Sequence, residues 1–188
     1  MPTTSRRWNH NIHYHGVILR EISKGARTAL DVGCGNGLLT RELQRVVPEV
    51  VGIDVDEQVL GQARRDCGDV DWVPGDFLTH DFGRRFDVVA SVAVLHHIPD
   101  LRAGLRRLAA LTAPGGVLAV VGLARATRLR DRLIHVPGLF QHWWFSARYG
   151  FWEHAAPTVW PPPHDYTTIR RLAAELLPGM VWRHLPLW

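Results

Sequence analysis

The sequence predicts an α/β protein: a doubly wound, mostly parallel sheet held between two layers of helices. Two observations predict it. Five short, β-branched apolar runs alternate with helix-period segments between residues 28 and 123. The runs are apolar almost throughout, as strands buried on both faces of a parallel sheet are, rather than alternating in character.

The elements follow in order. Residues 6–23 read as an N-terminal helix, with Ile12, Leu19 and Ile22 turned inward. The strand candidates are Thr28–Val32, Val50–Val55, Val70–Val73, Phe86–Val92 and Val117–Gly122. Leu39, Leu43, Val46 and Val47 recur on one helical face after the first strand. Asp56 can cap a helix carrying Val59, Leu60 and Ala63. Pro99–Asp100 precedes Leu101, Leu105 and Leu108, again on one face, and Pro114–Gly115–Gly116 then turns the chain. Residues 124–166 form an aromatic-rich insertion, with Trp143, Trp144, Trp152, Trp160 and a run of three prolines. A final helix and an extended strand are expected over 167–188, all of it within one domain spanning 1–188.

Composition narrows the function. The 22 basic and 18 acidic side chains leave a net charge of +4, and Lys24 is the only lysine. The arginines stand singly or in pairs with acids nearby, so no basic stripe for nucleic acid is expected. No apolar run is long enough to span a membrane, and no membrane partner is expected. Residues 1–11 are polar with no apolar signal core behind them, so the location expected is cytoplasmic. Cys34 and Cys67 lack metal or redox spacing, which excludes a disulfide framework.

The stretch Ala29–Thr40 reads as strand, glycine loop and helix start. Gly33, Gly35 and Gly37 let the backbone approach a ligand and aim helix N–H groups at it. A dinucleotide loop wants a third glycine at position 38, where this chain has Leu38. Asp31, just before the first glycine, would repel a diphosphate but suits a cationic ligand. S-adenosylmethionine carries both an ammonium and a sulfonium. Asp54 lies 19 residues after Gly35, and Asp76 follows the third strand. In an open α/β sheet ligands bind at those carboxyl ends.

The motif Asp31–x–Gly33–x–Gly35–x–Gly37 resembles the first motif of the class I S-adenosylmethionine-dependent methyltransferases, whose sheet is Rossmann-like. Gly52–Ile53–Asp54 resembles their second strand, Gly75–Asp76–Phe77 the end of the third, and Phe86–Asp87–Val88–Val89 the fourth. Leu111–Thr112–Ala113–Pro114–Gly115–Gly116 resembles their turn into the fifth. The resemblance covers residues 10–123 and implies a cofactor, S-adenosyl-L-methionine. It assigns Tyr14, Asp31, Gly33, Cys34, Gly35, Gly37, Asp54, Val55, Asp76, Phe77, Ser91 and Val92 to cofactor binding. Asp54 would accept from the ribose hydroxyls, Asp76 from the adenine amino group, and Phe77 would lie along the adenine ring. Tyr14, or His15 beside it, would reach the cofactor's methionine end from a lid helix.

His96 and His97 follow the fourth strand and are the catalytic candidates, as general bases toward the acceptor. No metal is expected. The related O-methyltransferases of ubiquinone biosynthesis have Glu–x–x–Glu–His here, but the aligned positions are Ala93, His96 and His97. His10, His13 and His15 have no acid or cysteine to complete a zinc site.

Enzymes that methylate nucleic-acid amino groups share an Asn/Asp-Pro-Pro-aromatic turn after the fourth strand. Ser91–Val92–Ala93–Val94 departs from it, so the acceptor expected is a small molecule. Trp143, Trp144, Tyr149 and Trp152 either wall an acceptor site or form an ordinary packing flap. Class members usually finish with a sixth strand and an antiparallel seventh. This sequence has room for one after the last helix, so the last antiparallel strand is expected to be missing. Two other readings stand beside a methyltransferase: a non-catalytic S-adenosylmethionine-binding module and an NAD(P)-dependent reductase.

Overall fold

A computed structural model describes residues 8–152 and 159–186. The chain divides into two compact units, residues 15–122 and a second unit made of the two chain ends, residues 1–14 and 123–188. Helix α1 (His10–Glu21) contributes to both. Its buried residues are Tyr14, His15 and Ile18, while Ile12, Leu19 and Ile22, expected inward, are only half-buried.

In the first unit, β1 (Thr28–Val32), β2 (Glu49–Asp54), β3 (Asp71–Pro74), β4 (Phe86–Val92) and β5 (Thr112–Val121) form one sheet. The order is β3-β2-β1-β4-β5 and every pairing is parallel. Parallel neighbours require crossovers, supplied by α2 (Leu38–Gln44), α3 (Glu57–Asp66) and α4 (Leu101–Leu111). The chain runs outward from β1 to β3 in one direction and from β4 to β5 in the other. Right-handed crossovers therefore set α2 and α3 on one face and α4 on the opposite one. The reversal between β1 and β4 is the switch point, where such sheets open a crevice at the strands' carboxyl ends.

The central strands hold the core. Leu30, Val32, Ile53, Val88 and Val89 are almost fully buried, as the unbroken apolar runs require. Helix α2 buries Leu39 and Leu43 as predicted, but Val46 is 54% exposed because α2 ends at Gln44. Helix α3 is capped by Asp56, whose Oδ1 accepts from the N–H groups of Gln58 and Val59. It packs Leu60 and Ala63 with Cys34, Val70 and Trp72. Asp100 caps α4 through the N–H of Ala103.

At the opposite edge from the switch point, Asp87 ties β4 to β1. Its Oδ2 accepts from the N–H groups of Arg27 and Thr28 and from the Thr28 hydroxyl. These hydrogen bonds hold its carboxyl below the usual carboxylate range. The turn into β5 is a bulge. Between paired positions Phe86↔Thr112 and Val88↔Val117 the register shifts, and the extra length falls on Pro114–Gly115–Gly116. Gly115 has φ +77°, and a Cβ on Gly116 would stand 2.7 Å from the Asp87 carbonyl oxygen.

The second unit contains α5 (Leu129–Tyr149) and α6 (Tyr166–Leu176). Within the aromatic-rich insertion, residues 129–149 form one long helix. Trp8 stacks on Phe145 at 5.4 Å between ring centroids and meets His142 and Phe151. His10 Nε2 and His142 Nδ1 are 2.9 Å apart. The expected final strand does not form among the described residues after α6. Pro178 and Pro186 lack the N–H a ladder needs, and Trp182, His184 and Tyr166 pack edge to face instead. Residues 153–158 of the insertion, and 187–188 of the expected strand, lie outside the described residues.

Candidate active site

The predicted cofactor residues of the first unit gather at the carboxyl ends of β1–β4. Asp31 is the fourth residue of β1 and is 2% exposed. The Thr40 hydroxyl donates to its Oδ2 at 2.6 Å. Burial raises the Asp31 carboxyl to about 6, against the Thr40 hydrogen bond and the His15 charge, which lower it; the Asp54 charge adds to the rise. His15 is itself buried, with Nδ1 3.3 Å from Glu42 Oε1. Thr40, His15 and Asp54 therefore form the electrostatic surroundings of Asp31. The role of Thr40 is hard to read from sequence, because a threonine two residues into a helix looks like any other.

After Val32 the chain enters the loop through three left-handed glycines, with φ +68° at Gly33, +53° at Gly35 and +74° at Gly37. They are glycines for different reasons. A Cβ on Gly33 would stand 2.2 Å from Val94 Cγ2, and one on Gly37 would stand 2.3 Å from Trp72 Cη2. Those two glycines permit close packing within the protein. A Cβ on Gly35 meets no protein atom within 4 Å. Gly35 therefore borders open space rather than packed protein. The close helix–sheet packing that a third dinucleotide glycine would serve is met here by Gly37, so Leu38 is tolerated.

The loop is held to the next strand. The N–H groups of Gly33 and Cys34 donate to the Ile53 carbonyl, and the Gly35 N–H donates to Asp54 Oδ2 at 2.8 Å. The other Asp54 oxygen accepts from the Asp56 N–H. Each oxygen thus uses one acceptor position on backbone and has a second lone pair beside it. The Cys34 side chain points into the core beside Leu60 and Trp72, so only its backbone is available for binding. Burial and the charges of Asp31 and Asp54 push its thiol far up, which rules out a thiolate. Val55, next to Asp54, is largely exposed.

At β3, the Gly75 N–H donates to the Asp54 carbonyl at 2.9 Å, which sets the third acid beside the second. Asp76 is exposed, and its Oδ1 accepts from Leu78 N–H in a local turn. Phe77 is buried, and Arg107 of α4 donates to the carbonyls of Phe77 and His80. This brace fixes the segment that leaves β3.

The end of β4 closes the crevice. Ser91 is fully buried, and its Oγ has no hydrogen-bond partner among the described residues. Val92 is half-buried, and Ala93 takes φ +58°, a conformation rare for a residue with a side chain. The Ala93 N–H is fixed to the Val121 carbonyl at 2.8 Å, and Val94 then lies over Gly33. Strain of this kind is concentrated at functional sites.

His96 and His97 form a 3-10 turn with Leu95, their rings 4.0 Å apart and tilted by 41°. His96 is pushed down to about 4, first by burial and then by the His97 charge. Burial lowers His97 as well. Both rings are therefore neutral at pH 7, and His96 Nδ1 is buried without a hydrogen-bond partner among the described residues. Among the described residues, no group of three or more metal-binding side chains comes together.

Tyr14 belongs to the second unit. It is buried, makes a T-shaped contact with His13, and acts on Tyr166, whose hydroxyl is pushed up to about 12, mainly by burial. Trp143 and Trp144 are mostly exposed on α5, whereas Phe145 and Tyr149 stack on each other at 6.0 Å.

The sequence of residues 4–172 matches the family model of a methyltransferase domain. The chain belongs to that family. This methyltransferase is 40% identical over 181 residues to an uncharacterized methyltransferase of Mycobacterium tuberculosis (strain H37Rv), covering 95% of this chain and 91% of that one. It is 31% identical over 117 residues to a ubiquinone biosynthesis O-methyltransferase of Methylococcus capsulatus, covering 59% of this chain and 49% of the relative. Among solved structures, the S-adenosylmethionine-bound amino pentose methyltransferase CalS10 of Micromonospora echinaspora aligns with a TM-score of 0.58 and 27% identity. That alignment covers 65% of this methyltransferase and 54% of CalS10, so the chain spans about half the length of that neighbour. The chain is therefore a class I S-adenosylmethionine-dependent methyltransferase and not a nicotinamide-dependent reductase.

Proposed function

We propose that this methyltransferase transfers a methyl group to a small organic acceptor. The observation that supports the reading is the open side of Gly35 next to the anchored carboxylate of Asp54. Bound S-adenosylmethionine supplies a methyl group on a positively charged sulfur, a carbon already activated for in-line displacement. The protein must then bind, align and exclude water. Asp54 holds the ribose hydroxyls with its remaining acceptor positions. Asp31, charged above pH 6, faces the methionine end with negative charge. Asp76 and Phe77 bound the adenine end. Ser91 Oγ, buried and unpartnered, supplies a hydroxyl to the cofactor side.

His96 and His97 act on the acceptor as neutral imidazoles. A ring whose conjugate acid titrates near 4 is a weak base, so His96 contributes orientation by hydrogen bonding more than proton removal. A neutral pair also places no like charge near a sulfonium. The sugar N-methyltransferase KedS8 and the amino pentose methyltransferase CalS10 are similar to this chain over the core, which supports a small polar organic acceptor.

Calorimetry with S-adenosylmethionine and its demethylated product, followed by labelled methyl transfer to an acceptor panel, tests the reading. Binding and turnover are expected. No binding of either ligand would sink it, and binding without turnover on any acceptor would leave a non-catalytic binding module.

A further inference from the structure

The long helix α5 has two unlike faces. Asp131, Gly138, His142, Phe145 and Tyr149 recur on one side and are buried or half-buried in the second unit. On the opposite side stand Leu129, Leu133, Val136, Phe140 and Trp143, at the i, i+4, i+7, i+11 and i+14 spacing of one helical stripe. Every one of them is exposed, Leu129 by 73%, Phe140 by 72% and Trp143 by 71%. Leu139 and Trp144 widen the stripe on either flank and are also exposed. Scattered exposed apolar residues need no explanation, but a continuous apolar stripe of this length on a helix marks an interaction surface.

Charge selects the partner. The sequence sets Arg128, Arg130 and Arg132 at the start of the helix and Arg148 near its end. Its one acid, Asp131, is buried and accepts from the Arg128 N–H as part of the N-terminal cap. Arg128 and Arg148, both exposed, stand at the two ends of the apolar stripe, and the helix has no exposed carboxylate of its own. A second copy of the same face would bring arginine against arginine. A bilayer with anionic headgroups meets both features, taking up the aromatic and aliphatic side chains at the acyl boundary and pairing the arginines with phosphates. The same arginines keep the helix from crossing, and no helix among the described residues is long and apolar enough to do so.

We propose that the outward face of α5 docks on an anionic lipid surface, the helix lying in the interface plane. This goes beyond the reading of the active site and does not depend on it. The test is flotation of the full chain with vesicles of phosphatidylcholine containing phosphatidylglycerol, and with phosphatidylcholine alone. Binding is expected to the anionic vesicles, to weaken with added salt, and to be poor on the neutral ones. The double variant Leu133→Gln and Phe140→Gln, both at exposed positions, should keep the far-UV circular dichroism and melting temperature and lose binding by about tenfold or more. Three results would overturn the proposal: no flotation with anionic vesicles, equal flotation of a folded variant, or a dimer in sedimentation equilibrium that the two substitutions dissociate.

Discussion

The Gly35 N–H donates a 2.8 Å hydrogen bond to Oδ2 of Asp54, tying the glycine loop after β1 to the acid that ends β2. Through that bond the carboxylate shapes the loop, and in the function proposed above it also holds the cofactor. Replacing Asp54 by alanine removes a charged acceptor from the cofactor and an anchor from the loop. Affinity for S-adenosylmethionine should fall by about 1–3 kcal/mol, roughly a 5- to 150-fold rise in Kd. Asp54→Asn keeps one carbonyl acceptor and should fall in between. Calorimetry on the three proteins decides, and equal affinities would remove Asp54 from the binding site.

The three loop glycines should separate into two phenotypes. Gly33→Ala and Gly37→Ala drive a methyl group against Val94 and Trp72 in addition to straining a left-handed residue. Their melting temperatures should drop with a loss of about 2–4 kcal/mol. Gly35→Ala meets no protein atom within 4 Å and carries only the conformational penalty, about 1–2 kcal/mol. It should stay folded while losing cofactor affinity. If Gly35→Ala unfolded as readily as Gly37→Ala, the division between packing and binding glycines would be wrong.

Much of the fold was legible because it depends on backbone order. Strands β1 and β4 fall where their apolar runs predict, and Asp31, Asp54 and Asp76 lie in or just after successive parallel strands β1, β2 and β3. What escaped the sequence depends on side-chain packing across the fold. Thr40 and His15 surround Asp31 only once α1 and α2 lie against the sheet. Position 38 hints that Gly37 carries the close contact, but Trp72, its partner, lies on another strand. In the sequence Pro137 and a tryptophan pair mask the helical period of α5, although Gly138, His142, Phe145 and Tyr149 share its less exposed face and Leu133, Val136, Phe140 and Trp143 the exposed one.

His96 titrates far below an ordinary imidazole, and the cause can be tested. Burial is the larger effect and the His97 charge the smaller. Imidazole resonances should give a midpoint near 4 for His96, and His97→Gln should raise it without restoring 6.5. The rate of methyl transfer should then show no histidine limb between pH 6 and 7. A limb there that vanished in His96→Gln would make His96 a general base after all.

Asp31 should cost the free protein stability while serving the ligand. Between the ordinary value of 3.8 and about 6, the native state keeps a proton that the unfolded chain has released. Stability therefore falls as pH rises through that window and stays reduced above it. His10 and His96 act the other way. Each is pushed down to about 4, so below 6.5 the unfolded chain takes up protons that the native state refuses, and stability falls toward acid. The wild-type profile mixes these opposed effects, but the difference between wild type and Asp31→Asn isolates one. The amide oxygen can still accept from the Thr40 hydroxyl, so the main change is the charge. Urea unfolding should show little difference at pH 3.5 and a gain at pH 8 of up to about 3 kcal/mol for Asp31→Asn. The same variant should bind S-adenosylmethionine more weakly at pH 8, where its ammonium loses a charged partner. A gain equal at both pH values would mean that the carboxylate's burial is not what limits stability here.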